Sequence, residues 1–238
     1  MNQVEHESVR ERCRRSRELN EQLTLLIGRR PANSLRVDFA RCAQDLALEH
    51  HSAIARTVDA GEFGAAGALL RPLLEASTTA YWFVYAANCV EICRLPTTTV
   101  DTPAVDIPGL SVMLSALTPI FPPITRISEG LKTGGAAKWL HKYTHGGTPQ
   151  LTRRSAEGWT VDEAMRTLVR ADMFVTLSGL LETVLDPSPE LASYAFGSRD
   201  ELGFELQITF GALDRERQPD FLPDAPLLLD GCGQPFNR

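Results

Sequence analysis

An all-α, multi-helix bundle is the fold this sequence predicts. Three observations carry that reading. Apolar residues recur at three- and four-residue spacing through several long stretches. No strand–turn–helix alternation is visible, which argues against a doubly wound α/β fold. No repeat of fixed period appears, which argues against a solenoid. With 238 residues and 43% hydrophobic content, the chain is long enough to bury one large core. We therefore place one helical domain over residues 1–214, interrupted by a Pro/Thr-rich loop at 95–109, and an irregular tail over 215–238.

Residues 3–29 read as a helix, with Leu19, Leu23, Leu26 and Ile27 on one face and Gly28 and Pro31 ending it. Its first half mixes Arg10, Arg12, Arg14, Arg15 and Arg17 with Glu5, Glu7, Glu11 and Glu18, the pattern of a solvated, ion-paired helix. Ser34 is placed to cap a second helix over about 35–60, with Val37, Phe39, Ala43, Leu46, Ala47, Ile54 and Val58 facing inward and Gly61 closing it. Residues 63–94 are apolar nearly all round, from Ala65, Leu69 and Leu70 through Tyr81, Trp82 and Tyr85, and predict the central helix. Pro72 should kink that helix or mark a start within it. Four prolines and Gly134-Gly135 then bound short helices near 110–118, 123–132 and 136–143. Thr160 caps a helix over 161–185 whose core face includes Met165, Leu168, Phe174, Val175, Leu180 and Leu181. Further helices are expected at 188–196 and 199–210, although Phe204, Leu206, Ile208 and Phe210 alternate as a short strand would.

Charge is unevenly spread. The net charge of −6 divides into +1 over 1–60, −3 over 61–124, +5 over 125–154 and −9 over 155–238. The basic island is a local attractor for phosphate in an acidic protein, although it also fits a face that pairs with acidic neighbours. No apolar run is long enough to span a bilayer, and the Glu- and Arg-rich start lacks the apolar stretch of a signal peptide, so a cytoplasmic location without membrane contact is expected. The five cysteines are scattered, with no CxxC pair, and read as small buried hydrophobes.

The basic island contains Lys138-Trp139-Leu140-His141-Lys142-Tyr143-Thr144-His145-Gly146-Gly147, where acid–base side chains gather. His141 and His145 stand one turn apart, a spacing that can hold zinc. The HExxH form is absent and Lys142 follows His141, so no metal and no cofactor are expected. Metal-free phosphoryl chemistry suits the segment better. Cleaving RNA through its 2′-hydroxyl needs a base, an acid and cations on the phosphate, and histidine titrates near neutrality. The competing reading makes His145 a helix C-cap. Arg71 and Glu75 stand one turn apart on the apolar central helix and must be either paired or functional. His50 and His51 are adjacent and so point to different faces. There is no Walker loop, GxGxxG, GxSxG or EF-hand pattern.

Together, Leu69-Leu70-Arg71-Pro72-Leu73-Leu74-Glu75-Ala76, then Tyr81-Trp82, then Tyr143-Thr144-His145-Gly146-Gly147 resemble a group of bacterial all-helical proteins distantly similar to the HEPN (higher eukaryote and prokaryote nucleotide-binding) superfamily. The resemblance implies a helical homodimer, often a metal-independent ribonuclease of toxin–antitoxin or phage-defence systems, with RNA and an antitoxin or other protein as partners. It also implies an Arg and a His separated by four to six residues. Here no Arg has that spacing, and Lys138 stands in its place before His145. Arg71 and Arg153 are the candidates to supply the guanidinium from elsewhere. The resulting assignment makes His145 the general acid/base, supported by His141 or Tyr143. Arg71, Lys142, Lys138 and Arg153 bind phosphate, and Glu75 orients Arg71. The alternative is a non-enzymatic helical module for a protein partner or small ligand.

Overall fold

The computed structural model describes residues 3–28, 31–95, 107–121, 140, 142–145, 147–155 and 159–210. Most of the Pro/Thr-rich loop, the helix expected over 123–132 and the C-terminal tail lie outside these residues, as do Lys138 and His141. Among the described residues every regular element is an α-helix. The elements are α1 (Gln3–Ile27), α2 (Leu35–Asp59), α3 (Phe63–Tyr85), α4 (Cys89–Cys93), α5 (Leu110–Leu117), α6 (Thr148–Ser155), α7 (Val161–Leu185) and α8 (Pro189–Phe210).

Local chemistry sets the boundaries. Gly28 ends α1 at φ 59°, a left-handed backbone that suits glycine. Ser34 accepts from the Val37 amide at 3.3 Å and starts α2. Gly61, at φ 77°, turns the chain straight into α3, so α2 and α3 form a helical hairpin. The helix expected over 63–94 stops at Tyr85 and resumes at Cys89. The break is at Asn88, whose side chain accepts from the Glu91 amide while Glu91 reaches back to the Asn88 amide. Thr160 and Glu163 form the same reciprocal cap on α7. The two short elements expected after 188 are one helix, α8. Its buried residues Leu191, Ala195 and Leu202 recur at helical spacing, while Phe204, which suggested a strand, is 67% exposed. Helix α6 was not anticipated.

The main core lies between α1, α2, α3, α7 and α8, and contains Leu23, Ile54, Leu70, Leu73, Leu168 and Val175. Each such side chain contributes about 1.5–3 kcal/mol by leaving water. A second cluster surrounds Tyr81 to Tyr85 and gathers Phe39, Met113, Leu117 and Phe121 from α2, α5 and the turn after it. Two inward assignments fail: Leu46 is 44% exposed, and Ala65 is also exposed. The cysteines divide: Cys13 is buried, whereas Cys42 and Cys93 are exposed and the described cysteines are all free thiols. Exposure follows helix phase here, since each exposed cysteine lies on the outer side of its helix.

Candidate functional site

One stripe of α3 carries Gly64, Gly67, Ala68, Arg71 and Glu75 at helical spacing. Residues 140, 142–145 and 147–150 dock on the first half of that stripe. Tyr143 is 1% exposed and its ring lies on Gly67, where an added Cβ would stand 2.9 Å from Tyr143 Cδ1 and 3.0 Å from Trp159. Glycine at 67 is what lets the two rings approach the backbone. Trp159 meets Tyr143 edge-on at 5.5 Å between ring centroids and stacks on Phe63 at 5.7 Å.

Polar contacts fix the same docking. Pro72 has no N–H, so the Ala68 carbonyl lacks its usual helical donor. The Thr144 hydroxyl lies 3.2 Å from that carbonyl and 2.9 Å from the Leu140 carbonyl. Pro72 therefore sits inside an unbroken α3 and frees a backbone acceptor for the Thr144 segment. Gln150 Nε2 donates to the Gly64 and Tyr143 carbonyls at 3.1 and 2.6 Å, and the Gly147 amide donates to the Lys142 carbonyl at 2.7 Å.

Arg71 Nε donates to Glu75 Oε1 at 2.8 Å, and the two side chains are 28% and 36% exposed. They are paired with each other, at the edge of α3 rather than in its buried face. Lys142 and His145 are exposed at the end of the docked segment. The structure brings Tyr143 and Thr144 onto the stripe that continues to Arg71. Lys138 and His141 lie outside the described residues, and Arg153 is described in backbone only.

A larger polar cluster escaped the sequence reading. Asp172 of α7 is 2% exposed and His51 of α2 is fully buried. His51 Nδ1 accepts from Asn20 Nδ2 at 3.1 Å, which places the ring proton on Nε2, and that N–H donates to Asp172 Oδ1 at 2.7 Å. Arg12 pairs with Asp172 Oδ2 at 2.6 Å and with both oxygens of Glu205 at 3.0 and 3.2 Å. Ser16 donates to Asp172 at 3.1 Å. Burial pushes the Asp172 carboxyl up, but the His51 hydrogen bond, Arg12 and Ser16 outweigh it and hold it below its ordinary value of 3.8. The His51–Asp172 pair is shut away from solvent. It ties α1, α2, α7 and α8 together. One sequence signal pointed to it: a lone carboxylate beside Ala171 and Phe174 on the apolar face of α7.

A family model matches residues 44–200, more than half of the chain. The chain belongs to DUF6988, a family of unknown function. The DUF6988 match takes in Arg71, Glu75, Tyr143, His145, His51 and Asp172, while Arg12 and Glu205 fall outside it. The family's description names no activity and no HEPN kinship. No curated protein and no solved structure matches the chain.

Proposed function

We propose that this DUF6988 protein is an RNA-directed helical protein of a bacterial toxin or phage-defence system, HEPN-like, acting as a metal-independent ribonuclease. The observation that carries the reading is the docking of Tyr143 and Thr144 on the Arg71 stripe, with Lys142 and His145 left at the surface. In this reading Arg71 and Lys142, with Lys138 and Arg153 of the same basic segment, hold the phosphate. Glu75 keeps the Arg71 guanidinium oriented. A histidine takes the proton of the 2′-hydroxyl, whose oxygen attacks phosphorus. The 5′-oxygen leaves with a proton from the acid, and a 2′,3′-cyclic phosphate remains. His145 fills one proton-transfer role and His141 the other, while Tyr143 anchors the segment through Gly67.

The test is cleavage of total cellular RNA in EDTA by wild type and His145→Ala. Loss of cleavage by about 10²–10⁴-fold in the variant supports the assignment. Equal cleavage by both proteins removes it. Light scattering of the purified protein checks the homodimer that the resemblance implies.

The Arg71–Glu75 pair also favours a second reading. A guanidinium already held by a carboxylate at 2.8 Å is less free to take a phosphate, as in a non-enzymatic module for a protein partner or small ligand. RNA left intact by both proteins, at any salt, moves the reading there.

A further inference from the structure

Helices α3 and α7 place three arginines on one flank of the bundle. Two hydrogen bonds set the register of the pair. Ser77 Oγ donates to the Phe174 carbonyl at 3.0 Å, and the Tyr81 hydroxyl donates to the Leu177 carbonyl at 3.1 Å. Later residues of α3 meet later residues of α7, so the helices run parallel with Ser77 beside Phe174. Counting back equally on both sets Arg71 beside Leu168. Arg71 thus lies level with the gap between Arg166 and Arg170, about 3 Å along the axis from each.

Helix α2 covers the other flank of this pair. Phe39 stacks on Phe83 of α3, and Arg41 pairs with the buried Glu182 of α7 at 2.7 Å. Arg71 stands about 120° round α3 from Phe83. Arg170 and Arg166 stand about 120° and 160° round α7 from Glu182. All three are therefore turned away from α2, onto the flank where Tyr143 and Trp159 meet Gly67. Arg71 and Arg166 reach solvent, held by Glu75 at 2.8 Å and Asp162 at 2.9 Å, and Arg170 is half-buried. Arg166 and Arg170 stand one turn apart, and the crowding tells: burial, then the Arg166 charge, lowers the Arg170 pKa, with Asp162 opposing.

We propose that Arg166 and Arg170 extend the Arg71 face into a phosphate-binding track for a single strand of RNA, laid along the α3–α7 groove. The inference rests on the RNA-directed reading above and names the residues of α7 that serve it. Segment 138–147 holds no arginine, and a guanidinium offers phosphate a planar, bidentate fork that lysine lacks. On the two helix rows Arg71, Arg166 and Arg170 outnumber Glu75 and Asp162, and Lys142 is exposed beside the docked Tyr143. One helical turn, about 5.4 Å, separates Arg166 from Arg170, which suits successive phosphates of one strand. Cations spread along a groove, rather than gathered at one point, fit a strand better than a lone phosphate.

Fluorescence anisotropy of a labelled uridine oligoribonucleotide tests the track, in EDTA and with His145→Ala as the parent so that cleavage does not intrude. Each phosphate contact on a single strand adds about 0.7 to the slope of log K against log salt. Arg166→Gln with Arg170→Gln should therefore lower that slope by about 1.4, and weaken binding about 25-fold at about 0.1 M salt. Arg56→Gln, exposed on α2, should leave the slope as it is. If the double variant does not fold, Arg166→Gln alone decides, with a slope lower by about 0.7. Binding by the parent with an unchanged slope in the α7 variants overturns the track and leaves the RNA-directed reading standing. An equal loss in Arg56→Gln makes the effect one of net charge and overturns the track as well. No binding by the parent at low salt overturns both the track and that reading.

Discussion

Thr144 and Pro72 show how one residue's deficit becomes another's docking point. Proline at 72 removes a donor from the middle of α3, and the vacated Ala68 carbonyl faces the Thr144 hydroxyl at 3.2 Å. Thr144→Val keeps the shape and deletes that hydroxyl. It should cost about 1 kcal/mol, the net worth of an ordinary hydrogen bond. Pro72→Ala restores the helical N–H, which then serves the same carbonyl. The cost of Thr144→Val should therefore shrink when measured in the Pro72→Ala background. Urea unfolding of the four proteins gives the coupling directly, and additive costs would contradict the account. Pro72 itself was legible as a local anomaly. Its partner was not, because Thr144 lies 76 residues away and no local pattern joins them.

At the scale of elements, periodicity sufficed where one face is buried and the other is wet. Helices α1, α2 and α7 start and stop within two residues of the positions their caps and glycines predict. It failed where the backbone competes with side chains, as at Asn88, and where few apolar residues mark a face, as in α6. The candidate site was half legible. The composition of segment 138–147 identified it, but only packing shows that Tyr143 is interior and His145 exterior. The His51–Asp172 cluster was almost invisible, because its contacts span 121, 156 and 193 residues. Close packing of elements carries its own prediction. An added Cβ on Gly179 of α7 would stand 2.6 Å from Leu23 Cδ2 of α1 and 3.4 Å from Ala195 Cβ of α8. Three helices meet there, so Gly179→Ala has to move α1 or rotate Leu23. We expect a loss of about 1–3 kcal/mol. A Tm unchanged from wild type would mean that the seam yields more freely than its spacing implies.

For the whole molecule, the two buried carboxylates of α7 act in opposite senses on the pH profile. Burial raises the Glu182 carboxyl above its ordinary value of 4.5, so this group favours the fold as it gains a proton. Asp172 does the reverse, because its His51, Arg12 and Ser16 partners all favour the ionised form. Its folded value lies below 3.8, so its contribution is fully present above 3.8 and is lost as pH falls through the folded value. Stability should accordingly be greatest in the mildly acidic range, above the Asp172 transition and below the point where Glu182 has ionised. Asp172→Asn isolates the lower limb. It leaves an oxygen for the His51 N–H but takes the charge away from a guanidinium that is itself 3% exposed. Breaking a buried pair in this way costs about 3–5 kcal/mol, and Arg12 keeps Glu205, which argues for the low end. The gap between wild type and variant, read from urea midpoints, should hold steady from neutrality down to 3.8 and close below it. A gap that persists unchanged at the lowest pH would mean that the Asp172 charge is not what joins α1 and α8 to the bundle, and that the amide of Asn20 and the packing of Cys13 and Leu23 hold α1 in place without it.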